Sequence, residues 1–208
     1  MDNSELIYNY LLKSGFSPQG ACGILGNLHA ESACRPENLQ NSGNKKLGMT
    51  DTEYTAAVDN GKYDNFVHDG IGYGLCQWTY WSRKQGLLTY AKTYGKSIAD
   101  LEMQLCFMIR ELSQYGILDQ IKCAETVDAS TRIFMLQYEK PANQSEENIQ
   151  TRIGYSNVYF SKYVNSLDAD LSILCSHGVI SSPEYWRKTA PNVTYLPELI
   201  HNMAEALR

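Results

Sequence analysis

Long apolar runs are missing from this sequence: no hydrophobic stretch approaches the length of a membrane-spanning helix. A basic opening is missing too. The chain begins Met-Asp-Asn-Ser-Glu, an acidic start unlike an ordinary signal peptide, so synthesis in the cytoplasm without a cleaved leader is expected. Basic residues are in deficit, with 18 Lys and Arg against 23 Asp and Glu and a net charge of −5. Neutralising a phosphate backbone needs a Lys/Arg-rich face, so this balance argues against nucleic acid as a partner. It also argues against charge-driven attachment to an anionic surface. The four histidines, at 29, 68, 177 and 201, are scattered. The six cysteines, at 22, 34, 76, 106, 123 and 175, contain no C-x-x-C pair. No metal site and no disulfide framework is legible, and no cofactor is expected. The cysteines read as free thiols of a reducing compartment, Cys22 packing as a small hydrophobe. His29-Ala-Glu31 matches half of a zinc deaminase signature, but the P-C-x-x-C half is absent.

What is present is globular. The 208 residues are 43% hydrophobic and 20% charged, enough for one domain with a real core and a small appendage. The organising stretch is 17–36. Ser17 is placed to cap a helix, and Pro18 sits where its missing N–H costs nothing. Ala21, Ile24, Leu25 and Leu28 fall on one helical stripe, and the next position on it is Glu31. A carboxyl group thus replaces an apolar residue one turn before Pro36. Burial and the negative end of a helix dipole both favour a neutral acid at such a position, and a neutral acid is a proton donor. The plainer alternative is a rim residue paired with Arg35.

Along the chain, residues 4–14 read as a helix with Leu6, Ile7, Tyr10 and Leu11 inward. Residues 37–48 read as a loop. Thr50-Asp51-Thr52-Glu53 is a capping box for a helix to Asn60. Residues 62–81 lack helical period and read as irregular structure lining a groove. Further helices are expected from a Ser82 cap to Tyr94, after a Ser97 cap with Leu101, Leu105, Met108 and Leu112 inward, over 117–124, over 128–139 before Pro141, and from a Ser145 cap through Tyr163. A boundary is expected at Asn165-Ser166, giving units 1–164 and 165–208. The second reads as three short helices, the last capped by Thr194, around Leu171, Leu174, Tyr185, Trp186, Leu199, Ile200 and Met203.

A second stretch, Gly72-Tyr73-Gly74-Leu75-Cys76-Gln77-Trp78, changes the weight on Glu31. Its glycines let backbone approach a ligand closely. Gln77 offers a donor and an acceptor to a sugar amide or hydroxyl, and Tyr73, Trp78 and Trp81 offer flat faces to pyranose rings.

Glu31-Ser32 with Gly74-Leu75-Cys76-Gln77 resembles the E-S … G-L-M-Q pair of goose-type lysozymes and lytic transglycosylases. The wider pattern is similar to the phage tail-tip lysozyme family and to cell-wall lysins of clostridial phages. It comprises Gly23-Ile-Leu-Gly-Asn-Leu-His-Ala-Glu-Ser32, Gly72-Tyr-Gly-Leu-Cys-Gln-Trp-Thr79 and Tyr138-Glu-Lys-Pro141, and covers residues 4–164. The resemblance implies a mainly helical, two-lobed lysozyme-like fold. It implies cleavage of the β-1,4 bond between N-acetylmuramic acid and N-acetylglucosamine in bacterial peptidoglycan. Glu31 carries over as the catalytic acid, with Ser32, Tyr73, Gln77, Trp78, Thr79, Trp81 and Tyr138 about the substrate. Action on the wall after lysis or from within a virion is implied. The tail, around Pro183-Glu-Tyr-Trp186, is similar to a small helical module of other clostridial phage wall enzymes, and is expected to bind wall or phage tail components or to dock on the main domain.

The second carboxylate is open at this point. Thr79 stands where some goose-type enzymes have Asp. Asp69 and Asp64 are the remaining candidates, with loop capping as their alternative role. Glu139 reads as a buried carboxylate tying helix ends together. Two other functions stay in view: a lytic transglycosylase, which needs one Glu and the substrate's own hydroxyl, and a non-catalytic wall-binding phage structural protein.

Overall fold

The computed structural model describes residues 2–164, 167–193 and 196–207. The expected boundary at Asn165-Ser166 and the expected Thr194 cap lie outside these. The described residues form twelve α-helices and two isolated antiparallel bridges, with no strand. Among the described residues, no helix is long and apolar enough to cross a membrane. The chain divides into two compact units, 1–156 and 157–208.

Helix α2 (Pro18–Ser32) is the axis of the first unit. The Ser17 hydroxyl accepts from the Gly20 N–H at 2.9 Å, and Pro18 fills the first turn. Every residue from Gly20 to Leu28 is buried. The expected stripe is therefore only part of a helix surrounded on all sides. Its glycines set how closely neighbours approach. A Cβ at Gly23 would lie 2.3 Å from the Ser130 hydroxyl of α8 (Val127–Ile133), and one at Gly26 would lie 1.9 Å from the Ser156 hydroxyl of α9 (Glu146–Tyr163). Glycine is what allows these contacts.

The remaining helices of this unit follow local signals. Helix α1 (Asn3–Lys13) is capped by Asp2 and buries Ile7, Tyr8 and Leu11, while Leu6 faces outward. Residues 37–48 are not all loop, since α3 (Asn41–Leu47) lies within them. Helix α4 (Asp51–Asp59) carries the Thr50/Glu53 capping box. A 3-10 turn (Asp64–Val67) leads to the hairpin-like turn at 73–78. Helix α5 (Trp81–Thr93) starts at Tyr80, with no side-chain cap from Ser82. Helix α6 (Leu101–Gln114) is capped by Asp100 instead of Ser97, whose hydroxyl donates to Asp59. Helix α7 (Leu118–Lys122) is short. Helix α8 runs directly into a π-helix (Phe134–Glu139), and Lys140 ends it at φ 50°.

Two buried polar centres hold this unit. The Lys84 ammonium donates to Asp69 at 2.6 Å, to the Ile71 carbonyl at 2.7 Å and to the Tyr54 hydroxyl at 3.2 Å. Burial pulls this ammonium below its usual range, and Asp69 opposes that. Glu111 of α6 is the second centre. It accepts from Trp78 Nε1 at 2.8 Å, from the Tyr138 hydroxyl at 2.7 Å and from Arg83 at 2.9 and 2.8 Å.

The second unit contains the end of α9, then α10 (Leu167–Ser176), α11 (Pro183–Thr189), a 3-10 turn (Ala190–Asn192) and α12 (Leu196–Glu205). Its core is Leu171, Leu174, Ala190, Ile200 and Ala204, with Trp186 packed at the margin. Tyr185, Leu199 and Met203 face outward rather than joining this core.

Breaking either centre has a defined cost. Asp69→Ala strands a buried ammonium and is expected to remove about 3–5 kcal/mol in denaturant unfolding. Trp78 and Leu105 are both fully buried. Trp78→Ala is expected to cost about 3–5 kcal/mol and Leu105→Ala about 2–5 kcal/mol, and chemical denaturation checks both. A Trp78→Ala loss under about 1 kcal/mol would contradict its core position.

Candidate active site

Helix α2 ends through two consecutive left-handed residues, Ala33 at φ 51° and Cys34 at φ 59°. Glu31 therefore sits on the last turn, beside the point where the chain turns away. Ser32 secures this end, its hydroxyl donating to the Leu28 carbonyl at 3.0 Å and the Leu75 carbonyl at 2.9 Å. It ties Glu31 to the 73–78 turn and is too buried to meet a ligand.

That turn is built from its own backbone. Tyr73 and Trp78 exchange backbone hydrogen bonds at 3.2 and 2.9 Å. Gly74 and Gln77 take positive φ, 77° and 45°. A Cβ at Gly74 would lie 2.8 Å from the Gln104 side chain, so the turn closes directly onto it. Gln104, fully buried, accepts from the Leu75 N–H and donates to the Pro36 and Ile98 carbonyls.

A cleft of about 690 Å³ lies between this turn, the end of α2 and the 139–142 segment. Glu31, Gln40, Gln77, Thr79, Tyr80 and Glu139 line it, with Arg83 and Lys140. A shallower hollow shares Gly70, Thr79 and Tyr80 with the cleft and continues it to His68 and Trp81. Trp81 and Tyr80 are largely exposed there, and His68 stacks over Trp81 at 6.3 Å.

Several expected substrate contacts are corrected by burial. Tyr73 is wholly buried, its hydroxyl 2.5 Å from that of Thr55. Trp78 is wholly buried against Phe107 and bonded to Glu111. Tyr138 is buried behind the cleft on the same Glu111, under the Arg83 guanidinium. These residues make the cleft wall from inside. Gln77, Thr79 and Trp81 do reach the open surface. Gln77 also donates to the Asn38 and Gly74 carbonyls, so its amide nitrogen is held.

Neither proposed partner carboxylate reaches the cleft. Asp69 is the buried partner of Lys84, and it also accepts from the Tyr54 hydroxyl at 2.5 Å and the Ile71 N–H at 2.9 Å. Asp64 is exposed in the 3-10 turn and does not line the cleft. The second carboxyl lining the cleft is Glu139.

Glu31 is not paired with Arg35, which turns to Asn38 and Asp51. Its partner is Arg152 of α9, at 2.5 Å. The same guanidinium donates to Glu139 at 2.5 Å and to the Asn27 amide oxygen at 3.1 Å. Asn27 is itself fixed by the Gly23 and Thr131 carbonyls. Burial pushes the Glu139 carboxyl well above the usual carboxylate range, and the Glu31 charge adds to this; Arg152 and Arg83 oppose it. Glu31 keeps an opening to the cleft, its side chain 20% exposed, against 3% for Glu139.

Sequence reasoning missed Arg152, Asn27, Glu111 and Arg83. A signal existed for two of them. Arg152 lies between Ile149 and Ile153 of a buried face, and Glu111 lies between Met108 and Leu112.

Comparison with known proteins covers the segments that build this cleft. Over 162 residues the chain is 26% identical to Morphogenesis protein 1 of Bacillus phage B103, a match covering 74% of this chain. It spans only 38% of that relative's length. A family model described as phage tail lysozyme matches residues 2–163, which include Glu31, the 73–78 turn, Glu139 and Arg152. The chain belongs to the phage tail lysozyme family.

Proposed function

We propose that the chain is a peptidoglycan glycosidase that cleaves the β-1,4 bond between N-acetylmuramic acid and N-acetylglucosamine, with Glu31 as proton donor. The observation that carries this reading is Glu31 itself, a carboxyl open to a groove and backed by a buried guanidinium at 2.5 Å. Breaking the bond requires a proton on the glycosidic oxygen as the C–O bond lengthens. Glu31 gives up that proton and becomes an anion. Arg152, already in place, stabilises the anion as it forms. Gln77, Gln40 and Thr79 offer hydrogen bonds to N-acetyl and hydroxyl groups, and Tyr80 and Trp81 offer aromatic faces to the sugar rings. Water then adds at the anomeric carbon, gives up its surplus proton to solvent and leaves a reducing end.

One observation favours a second reading. Among the described residues lining the cleft, the carboxylates are Glu31 and Glu139, and both are ion-paired with Arg152. No separate carboxylate stands ready to activate water. A lytic transglycosylase needs none, because the muramic acid's own hydroxyl attacks and an anhydro ring forms. The name of the phage B103 relative, a morphogenesis protein, supports a lysin carried in the particle over one released at lysis. A wall-binding or docking role for residues 165–208 rests on the exposed Tyr185 and Leu199 side chains.

Mass spectrometry of muropeptides after digestion of purified wall tests the reaction. Reducing ends are expected; anhydro-muramic ends would select transglycosylation, and no product of either kind would refute the glycosidase reading. Glu31→Gln is expected to lower the rate about 10²–10⁴-fold with an unchanged circular dichroism spectrum, because Arg152 keeps Glu139 as partner. Wall turbidity loss equal to wild type would sink the assignment. Tyr80→Ala and Trp81→Ala are each expected to weaken substrate binding by about 0.5–1.5 kcal/mol, read as a several-fold rise in KM, with melting temperature unchanged.

A further inference from the structure

Arg152 faces two carboxyl groups and can neutralise one. We propose that Glu139 is a positioning residue that lets Glu31 hold the catalytic proton: the pair shares one guanidinium, and whichever carboxyl is ionised answers its charge. The inference rests on Glu31 being the acid.

The geometry is that of a bridged pair. Arg152 Nη2 lies 2.5 Å from Glu31 Oε1, and Nη1 lies 2.5 Å from Glu139 Oε2. The guanidinium is 6% exposed, so solvent contributes little to balancing its charge. With both carboxyls ionised, the triad carries one negative charge in a poorly solvated place. With one proton on the pair, it is neutral. Two coupled sites of this kind titrate as a unit, in two shared steps.

Glu139 has the features of the resting proton's holder. Its Oε1 is buried with no hydrogen-bond partner, as is Arg152 Nε. An ionised carboxylate with an orphaned, dry oxygen is more costly than a protonated one. The groups that act on it are Glu31 from α2, Arg152 from α9 and Arg83 from α5, with the Cys76 thiol beside it. Burial of Glu139 and the Glu31 charge favour its neutral form, and the two arginines oppose it.

Substrate changes the balance. A saccharide in the cleft removes the water that reaches Glu31, and its anion loses hydration. The proton is then better placed on Glu31, while Glu139 ionises and takes over Arg152. Donation to the glycosidic oxygen leaves the pair with no proton. One returns from solvent after product leaves. Without a second carboxyl, a neutral Glu31 would leave Arg152 as a bare buried cation.

The test is the pH dependence of kcat/KM for wild type, Glu139→Gln and Glu139→Asp. A general acid is active while protonated, so activity falls as pH rises through its apparent pKa. Glutamine cannot answer Arg152 when Glu31 is neutral, so Glu31 holds its proton only at lower pH. The alkaline limb of Glu139→Gln is expected to move to lower pH by about one unit or more, with activity recovered on acidification. Glu139→Asp is expected to keep the limb near the wild-type position. A uniform drop across all pH values, with the limb unmoved, would show a merely structural Glu139 and overturn the proposal. Wild-type protein carries the test if Glu139→Gln does not fold. Carbon-13 carboxyl NMR is expected to show Glu31 and Glu139 titrating in shared steps, and independent single steps would overturn it. Full activity of Glu31→Gln would refute the acid assignment by itself, whatever Glu139 does.

Discussion

A guanidinium held away from water needs an answering charge, and Arg152 is where that requirement is met in this fold. It draws Glu31 from α2, Glu139 from the end of the π-helix and Asn27 from the middle of α2 to one point. Removing either carboxyl alters what the other must do. Removing the arginine leaves two acids beside each other with nothing between them. The cleft floor is therefore a charge arrangement as much as a shape. The nearby Glu111 centre plays a different part. Its four hydrogen bonds hold Trp78, Tyr138 and Arg83, which form the cleft wall from behind.

Much of the helical framework was legible because it depends on near neighbours. The Ser17 and Thr50 caps and the helical stripe of α6 are signals within a few residues, and all are present. Glu31 and Gln77 were legible as polar positions on a helix end and a turn, and both line the cleft. Their partners were not, because Arg152 is brought to Glu31 only by the packing of α9 on α2. The argument applied to Glu31, a charge on an apolar face, applies equally to Arg152 and Glu111, and would have singled them out. It could not have named whom they meet.

Burial was the harder property to read. Gly72–Trp78 alternates aromatics with glycine, and such a pattern suits an open groove or a tight core turn. Tyr73 and Trp78 went inside because Thr55 and Glu111 offer partners for their polar atoms, which buried Tyr and Trp need. The aromatics exposed beside the cleft are Tyr80 and Trp81, just past the turn, where the chain enters α5. Asp69 was likewise ambiguous until Lys84 appeared, a fully buried lysine no local pattern announces. The π-helix had no signal either; composition over 134–139 fits an ordinary helix.

The glycines of α2 have a consequence for how tolerance to substitution is distributed over this molecule. Gly26 touches no ligand and carries no functional group, yet a methyl there would meet the Ser156 hydroxyl and the Arg152 carbonyl, the latter at 2.8 Å. The backbone that carries Arg152 would have to retreat, and its guanidinium would retreat with it. Residue 26 thus acts as a spacer gauge: the smallest possible side chain sets the gap across which the Glu31 carboxyl and the Arg152 guanidinium face one another. A map of mutational sensitivity should therefore peak at an inert residue five positions before the acid, and only weakly follow distance from the cleft.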